Sequence, residues 1–332
     1  MTRTPFKLAA RAAVAGIALT AMGLLAASPA SAAVPLLYTH IGQVELAYAQ
    51  LSATTGAPTL LPTSPTALQQ IVGQELSNGV GTSIGTDDQD GTGPYLVFNW
   101  NPTSGAESAG VVPYVTGADE GSLFVRALDT RNDGTLITYV EYSISDGDPI
   151  DYAAIATLNR TTGELTPVID VLPLLVDYRV ISIATDPLTG TTYAFLGPLE
   201  SSLSFYVTLN FVVPGYTPPT QFEGTGFEDG FFQGADIDAE GTLWFIYGNN
   251  LEEQYELSTL GLPSGWPTAA RNFVAEAAPG TALATLALAT GPAPALANTG
   301  AEFPSALLAL GTVAVLGGVV TVVTVSRRRR AA

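Results

Sequence analysis

Between Ala33 and Thr299 the chain has no lysine, and the full 332-residue sequence has no cysteine and a single histidine, His40. Each absence excludes chemistry. Without cysteine there are no disulfides, no thiol nucleophile and no thiolate metal ligand. One histidine cannot assemble a multi-histidine metal centre or pair of imidazole bases, and His40, inside LLYTHI (36–41), reads as a strand residue rather than a base or ligand. Helical periodicity is equally scarce. The one helix expected in the body is residues 66–77 (TALQQIVGQELS), and Gly73 weakens it. Positive charge is short too: residues 33–299 carry 29 Asp and Glu against Arg126, Arg131, Arg160, Arg179 and Arg271, a balance of −24, where the full chain has −18. Such a surface repels nucleic acid and other polyanions, so no nucleic-acid partner is expected. Only 13% of residues are charged and 47% are hydrophobic, which is a globular composition rather than an acidic disordered one. About 250 residues bury a sizeable core without cross-links.

The two ends carry targeting features. Arg3, Lys7 and Arg11 form a positive n-region, residues 12–27 are a short apolar run, and Ala30-Ser31-Ala32 places small residues before a cleavage point. Residues 1–32 are therefore expected to be a signal peptide with a helical apolar segment, and Ala33 the mature N-terminus. No Arg-Arg pair precedes the run, which favours general secretion. At the other end, Leu296-Ala297-Asn298-Thr299-Gly300 precedes a 23-residue apolar run, 303–325, and then Arg327, Arg328, Arg329 and Arg330. A helix needs roughly 20 apolar residues to cross a hydrocarbon core. Four arginines behind it hold that end in the cytoplasm.

These three parts in this order resemble the cell-wall sorting signal of Gram-positive surface proteins. The form is the Leu-Ala-x-Thr-Gly variant of the LPxTG signal, associated with class E sortases, and the resemblance covers residues 296–330. It implies cleavage between Thr299 and Gly300 and attachment of the Thr299 carbonyl to an amine of peptidoglycan. Sortase and peptidoglycan are then partners, and residues 303–325 span the membrane only before cleavage. In the same group of proteins, pilus shafts polymerise through lysine and many adhesin domains form isopeptide bonds through lysine. A lysine-free mature chain does neither, which leaves a wall-linked single chain.

The body reads as strands: β-branched and aromatic runs such as 135–142 (TLITYVEY), 205–213 (FYVTLNFVV) and 242–247 (TLWFIY), separated by Gly, Pro, Asp and Thr. Two turn motifs alternate through it. A Thr/Ser-Gly turn ends at Gly56, Gly105 and Gly163, with weaker copies at Gly215 and Gly265, at intervals of 49, 58, 52 and 50 residues. An Asp-rich turn ends at Gly134, Gly190 and Gly241, at intervals of 56 and 51. A period near 50 with two turns per unit is what four-stranded propeller blades produce. The pattern resembles extracellular β-propellers and implies an all-β ectodomain of about five blades over 33–280; a β-sandwich pair is the simpler alternative. Residues 281–295 are an Ala/Pro linker, or 281–290 (TALATLALAT) are the missing inner strand of the first blade and close the ring. The sorting signal occupies 296–332.

Candidate chemistry is sparse. Gly81-Thr82-Ser83-Ile84-Gly85 fits a nucleophile-elbow pattern, but TDDQDGTGP follows it and cannot be the required helix, so the match is fortuitous. Acidic residues crowd three turns: Asp87, Asp88 and Asp90; Asp146, Asp148 and Asp151; Asp236, Asp238 and Glu240. Closely spaced oxygen ligands before glycine suit Ca2+, and the first and third sets are candidate ligands for a structural ion. The twelfth-position glutamate of a helix-loop-helix calcium motif is missing, since Tyr247 and Val140 stand there counting from Asp236 and Asp129. Solvated turn residues are the plainer reading. The expected function is a non-catalytic binding or adhesion module displayed on the wall, its ligand a carbohydrate or protein. The alternative is a wall-tethered carbohydrate hydrolase, which needs two carboxyl groups about 5–9 Å apart beside an aromatic sugar platform. Carboxylates in a funnel on the propeller axis favour the hydrolase; an apolar plug there favours binding. Trp100 and Trp244 are expected in the core between blades.

Overall fold

The computed structural model describes residues 36–41, 47–62, 70–86, 94–118, 123–143, 151–198, 203–227, 230–249, 254–276 and 285–288. The expected signal peptide 1–32, Asp87, Asp88, Asp90 and the expected sorting signal 296–332 lie outside them. Among the described residues no helix is long and apolar enough to cross a membrane.

The described residues form 21 strands in five sheets. The first blade joins both ends of the body: β1 (Leu37–Ile41), β2 (Ala47–Leu51) and β3 (Pro58–Leu60) follow one another, and β21 (Ala287–Leu288) pairs with β1 on the inside. The second blade is β4 (Gln70–Ser77), β5 (Val80–Thr86) and β6 (Tyr95–Trp100), edged by isolated bridges from Val97 to Val111 and Trp100 to Glu107. The chain then adds β7 (Tyr114–Val115) in parallel to the outer strand of the third blade, which is β8 (Phe124–Thr130), β9 (Leu136–Tyr142), β10 (Tyr152–Leu158) and β11 (Glu164–Asp170). The fourth holds β12 (Tyr178–Thr185), β13 (Thr192–Pro198) and β14 (Phe205–Asn210), with β15 (Gly215–Tyr216) and β16 (Thr220–Gln221) both on β14. The fifth is β17 (Gly230–Ile237), β18 (Leu243–Asn249), β19 (Gln254–Leu260) and β20 (Asn272–Glu276). Inner strands pack in a circle, β4 on β8, β8 on β12, β12 on β17, β17 on β21 and β21 on β4. This is a five-bladed, all-β propeller.

The two repeated turns do the jobs their chemistry suggests. The Asp turns join the first strand of a blade to the second: Asp133 Oδ1 accepts from the Thr135 amide, Asp186 Oδ1 from the Leu188 amide and Asp238 Oδ1 from the Glu240 amide. The Thr-Gly turns join the third strand to the outer edge. There Ser52, Asn101, Asn159 and Asn210 each accept two backbone amides with the side-chain oxygen, a local hydrogen bond that sets the turn. Gly163, at φ +79°, occupies the left-handed position that closes such a turn.

Five apolar clusters fill the five seams between blades. Tyr38, Tyr48, Leu76 and Trp100 join the first and second, with Tyr48 stacked on Trp100 at 4.6 Å. Val97, Ile84 and Val125, Val140 join the second and third; Ile137, Ile155 and Ile183, Leu196 the third and fourth. Phe195, Phe222 and Phe232, Phe245 fill the fourth seam, and Trp244, Ile246 and Leu37, Leu288 the fifth. Each such side chain contributes about 1.5–3 kcal/mol on burial. Trp100, Trp244 and Trp266 are all buried in this way.

The helix expected at 66–77 is not formed. Gln70–Ser77 is strand β4, buried along nearly its whole length because it packs between β8 of the third blade and β21 of the first. The periodicity of a strand buried on both faces is apolar throughout and imitates a short helix. Gly73 has a packing role there: an added Cβ would lie 2.8 Å from the Ala127 carbonyl carbon of β8, where the inner strands come closest. Gly73→Ala should lower stability by about 1–3 kcal/mol through overpacking against backbone. Gly261→Ala, with open space around it, should be near neutral. Thermal unfolding of the two variants checks this; equal midpoints would contradict it.

Candidate functional site

Carboxylates from three inner strands converge on the propeller axis. Glu75 of β4, Asp129 of β8 and Asp236 of β17 each place a carboxylate oxygen within 4.8 Å of the others. They are 1%, 3% and 2% exposed. Each strand carries a bulge (between Ile71 and Gly73, Arg126 and Leu128, Phe232 and Gly234) that locally breaks the register upstream of its acidic residue.

Their hydrogen bonds are few. Thr185 Oγ1 donates to Asp129 Oδ2. The Leu288 amide of β21 donates to Asp236 Oδ2 at 2.6 Å and the Ile237 amide to Oδ1 at 2.7 Å. Glu75 Oε1 is buried with no partner in hydrogen-bond geometry, and Thr130 Oγ1 lies buried nearby. Ion pairs among the described residues are Arg131 with Asp133 and Arg271 with Glu256, both away from the axis. Burial drives the Asp129 carboxyl up to about 7, partly countered by hydrogen bonds from Thr185 and Thr130. Burial and then the charges of Asp236 and Asp129 hold Glu75 well above the usual carboxylate range, against Thr130 and the Leu76 amide, which lower it. Asp236 is raised by burial and by Asp129, against the Leu288 and Ile237 amides that lower it.

Three residues back along the same strands from these carboxylates stand Val72, Arg126 and Gln233, roughly 10 Å away at strand rise. With Gln70, Ile71, Ile181 and Phe232 they line a cavity of about 270 Å³. Phe232 is buried, so among the described lining residues no aromatic face is exposed.

The acidic turn 236–240 does not act as a unit. Asp236 belongs to the axis. Asp238 spends Oδ1 on the Glu240 and Thr242 amides and Oδ2 on Trp244 Nε1, while Glu240 is exposed. Asp87, Asp88, Asp90, Asp146 and Asp148 lie outside the described residues, as do Leu296, Ala297, Asn298, Thr299, Gly300, Ala30, Ala32 and Ala33. His40 pairs with Tyr48 in the first blade. Ser83 is fully buried in the middle strand of the second, and strand β6 follows where a nucleophile elbow needs a helix. Sequence reading missed Glu75 and Asp129 as site residues. A signal existed: Glu75, Asp129 and Asp236 are separated by 54 and 107 residues, one and two blade periods.

No protein-family model and no curated protein matches the sequence. Among solved structures it is similar to a Dyadobacter fermentans protein of unknown function, with 11% identity and TM-score 0.46 over 69% of this chain and 71% of that one. It is also similar to a periplasmic gluconolactonase of Pseudomonas aeruginosa, with 14% identity and TM-score 0.40 over 74% and 83%. A third likeness is to the Dos1 propeller, with 12% identity and TM-score 0.36 over 67% and 52%. At these identities and scores the likenesses carry nothing about activity.

The carboxyl shifts set a pH dependence for the protein in chelator. With Asp129 near 7 when folded and 3.8 as its ordinary value, the folded state keeps a proton that the unfolded chain has released. Stability therefore falls as pH rises from about 4 to about 7, by about 1.4 kcal/mol per pH unit for each proton so held. Unfolding midpoints measured between pH 4.5 and 7.5 in EDTA should decline, and Asp129→Asn should flatten that decline. A wild-type midpoint that climbs through this window would contradict it.

Proposed function

We propose that this protein is a secreted propeller that is joined to peptidoglycan through Thr299 and displays a non-catalytic binding surface. The observation that carries the reading is the ordered set of Leu296-Ala297-Asn298-Thr299-Gly300, the apolar run 303–325 and Arg327 to Arg330. The signal peptide 1–32 and membrane span 303–325 belong to the same proposal, as does a class E sortase as the processing enzyme. Eleven residues of sequence separate Leu288, the last residue of the closing strand, from Thr299.

The hydrolase alternative asks for carboxylates that a sugar ring can reach. Here they are sealed, mutually within 4.8 Å, and flanked by Ile71, Val72, Ile181 and Phe232 rather than an exposed aromatic platform. That arrangement favours a structural use of the axis and leaves binding to the outer faces. An acidic, lysine-free surface suits a cationic protein or a neutral carbohydrate and disfavours anionic polymers.

Cell walls from wild-type and Thr299→Ala cells, digested and probed for the protein, test the reading. The wild type should release protein carrying peptidoglycan fragments and lacking residues 300–332; the variant should remain in the membrane fraction. Wall-linked Thr299→Ala protein would overturn it.

A further inference from the structure

We propose that Glu75, Asp129 and Asp236 form a Ca2+ site on the propeller axis that fastens the inner strands of the second, third and fifth blades and, through Asp236, the closing strand β21. The proposal is independent of wall attachment. Its geometric basis is reach. Ligand oxygens about 2.4 Å from one Ca2+ lie at most about 4.8 Å apart, across the ion. The three carboxylates fall within that limit of one another. Mg2+, with ligands at about 2.1 Å, demands a tighter set than this one guarantees. Only oxygen ligands are present, with no imidazole or thiolate to favour zinc or copper.

A second observation points to a missing ligand. Glu75 is 1% exposed, yet its Oε1 has no hydrogen-bond partner. A buried polar atom left unpaired is destabilising, more so if charged, so such atoms are rare unless an ion or water meets them. Thr130 Oγ1 is a buried neutral oxygen beside the same cluster, near enough to Glu75 to lower its carboxyl. Nor does the protein supply a cation of its own. Residues 33–299 contain no lysine, and the arginine ion pairs among the described residues go to Asp133 and Glu256. Arg126 stands at the cavity mouth, over the Phe124 ring, and does not reach the cluster.

The site would be tied to ring closure. Asp236 Oδ2 accepts the Leu288 amide, so a cation that keeps Asp236 ionised strengthens the bond holding β21. Thr285 extends the same tie by donating to Gln74 Oε1, the residue before Glu75, and its carbonyl accepts Thr39 Oγ1 of β1.

The test is calcium titration of the purified full chain after EDTA treatment and desalting, by calorimetry at pH 7.5, with Mg2+ as a parallel arm. One Ca2+ per chain should bind, at least tenfold tighter than Mg2+, and at a hundredfold excess over Kd should raise the unfolding midpoint by roughly 5–10 °C. Glu75→Gln and Asp236→Asn should lose that response, and Glu75→Gln should unfold in EDTA at or above the wild-type temperature, because it removes a carboxyl that burial and its acidic neighbours disfavour in the folded state. No binding and no shift at millimolar Ca2+ in the wild type would overturn the proposal, whatever the variants do. So would a full calcium response retained by Glu75→Gln, which would place the ion elsewhere. Equal Mg2+ affinity would overturn the assignment to calcium.

Discussion

Two residue pairs hold the ring shut: Leu37 opposite Leu288 and Tyr38 opposite Ala287. A two-residue strand is too short to be stable alone, and here it bridges nearly the whole length of the body. The entropy of closing so long a loop grows only logarithmically with its length, so distance is not the main obstacle. The obstacle is that few bonds are available. The structure concentrates its strongest local chemistry on that strand. Leu286 and Leu288 sit in the fifth seam beside Trp244 and Ile246, and Asp236, Gln74 and Thr39 each hydrogen-bond to residues 285–288. The first blade exists only when the end of the body returns to its beginning, which makes the five seams one cooperative system.

Charge on the axis is the opposing constraint. Ionised carboxylates removed from water lose solvation that only protons, hydrogen-bond donors or a cation can replace. Thr185 and the Leu288 and Ile237 amides replace part of it for Asp129 and Asp236, and Glu75 is left with an unpaired oxygen. Three acidic side chains at the narrowest point of a ring repel one another, and would loosen it unless neutralised. The same residues thus weaken the ring when bare and tie three blades together when matched with a cation. Residues 33–299 offer no lysine for the task.

Much of the architecture was legible in the turns. Asn101, Asn159, Asp133 and Asp186 act within a few residues of themselves, so their pattern survives in the linear sequence and repeats with each blade. The strand at 70–77 was not legible, because burial on both faces erases the alternation that marks a strand, and QIVGQELS then reads as a helix. The axial cluster was hidden for a different reason. Asp236 stood in view only as part of an acidic turn, and neighbours in sequence proved to be strangers in space: Asp238 caps its turn while Asp236 meets Glu75 and Asp129 from other blades. The recurrence of acidic residues at one and two blade periods becomes informative only after the blades are known to surround an axis. The proposed sorting signal stands apart from all of this, since it is read from a short motif and two flanking compositions rather than from tertiary structure.

Native-state hydrogen exchange of the Leu288 amide tests the central claim most directly, namely that the final strand locks the propeller. The account predicts that this amide, bonded to Asp236 and buried at the axis, exchanges only through global unfolding, as slowly as amides in β8 and β12. An amide at Leu288 exchanging at the rate of a frayed terminus, while the rest of the inner ring stays protected, would contradict it.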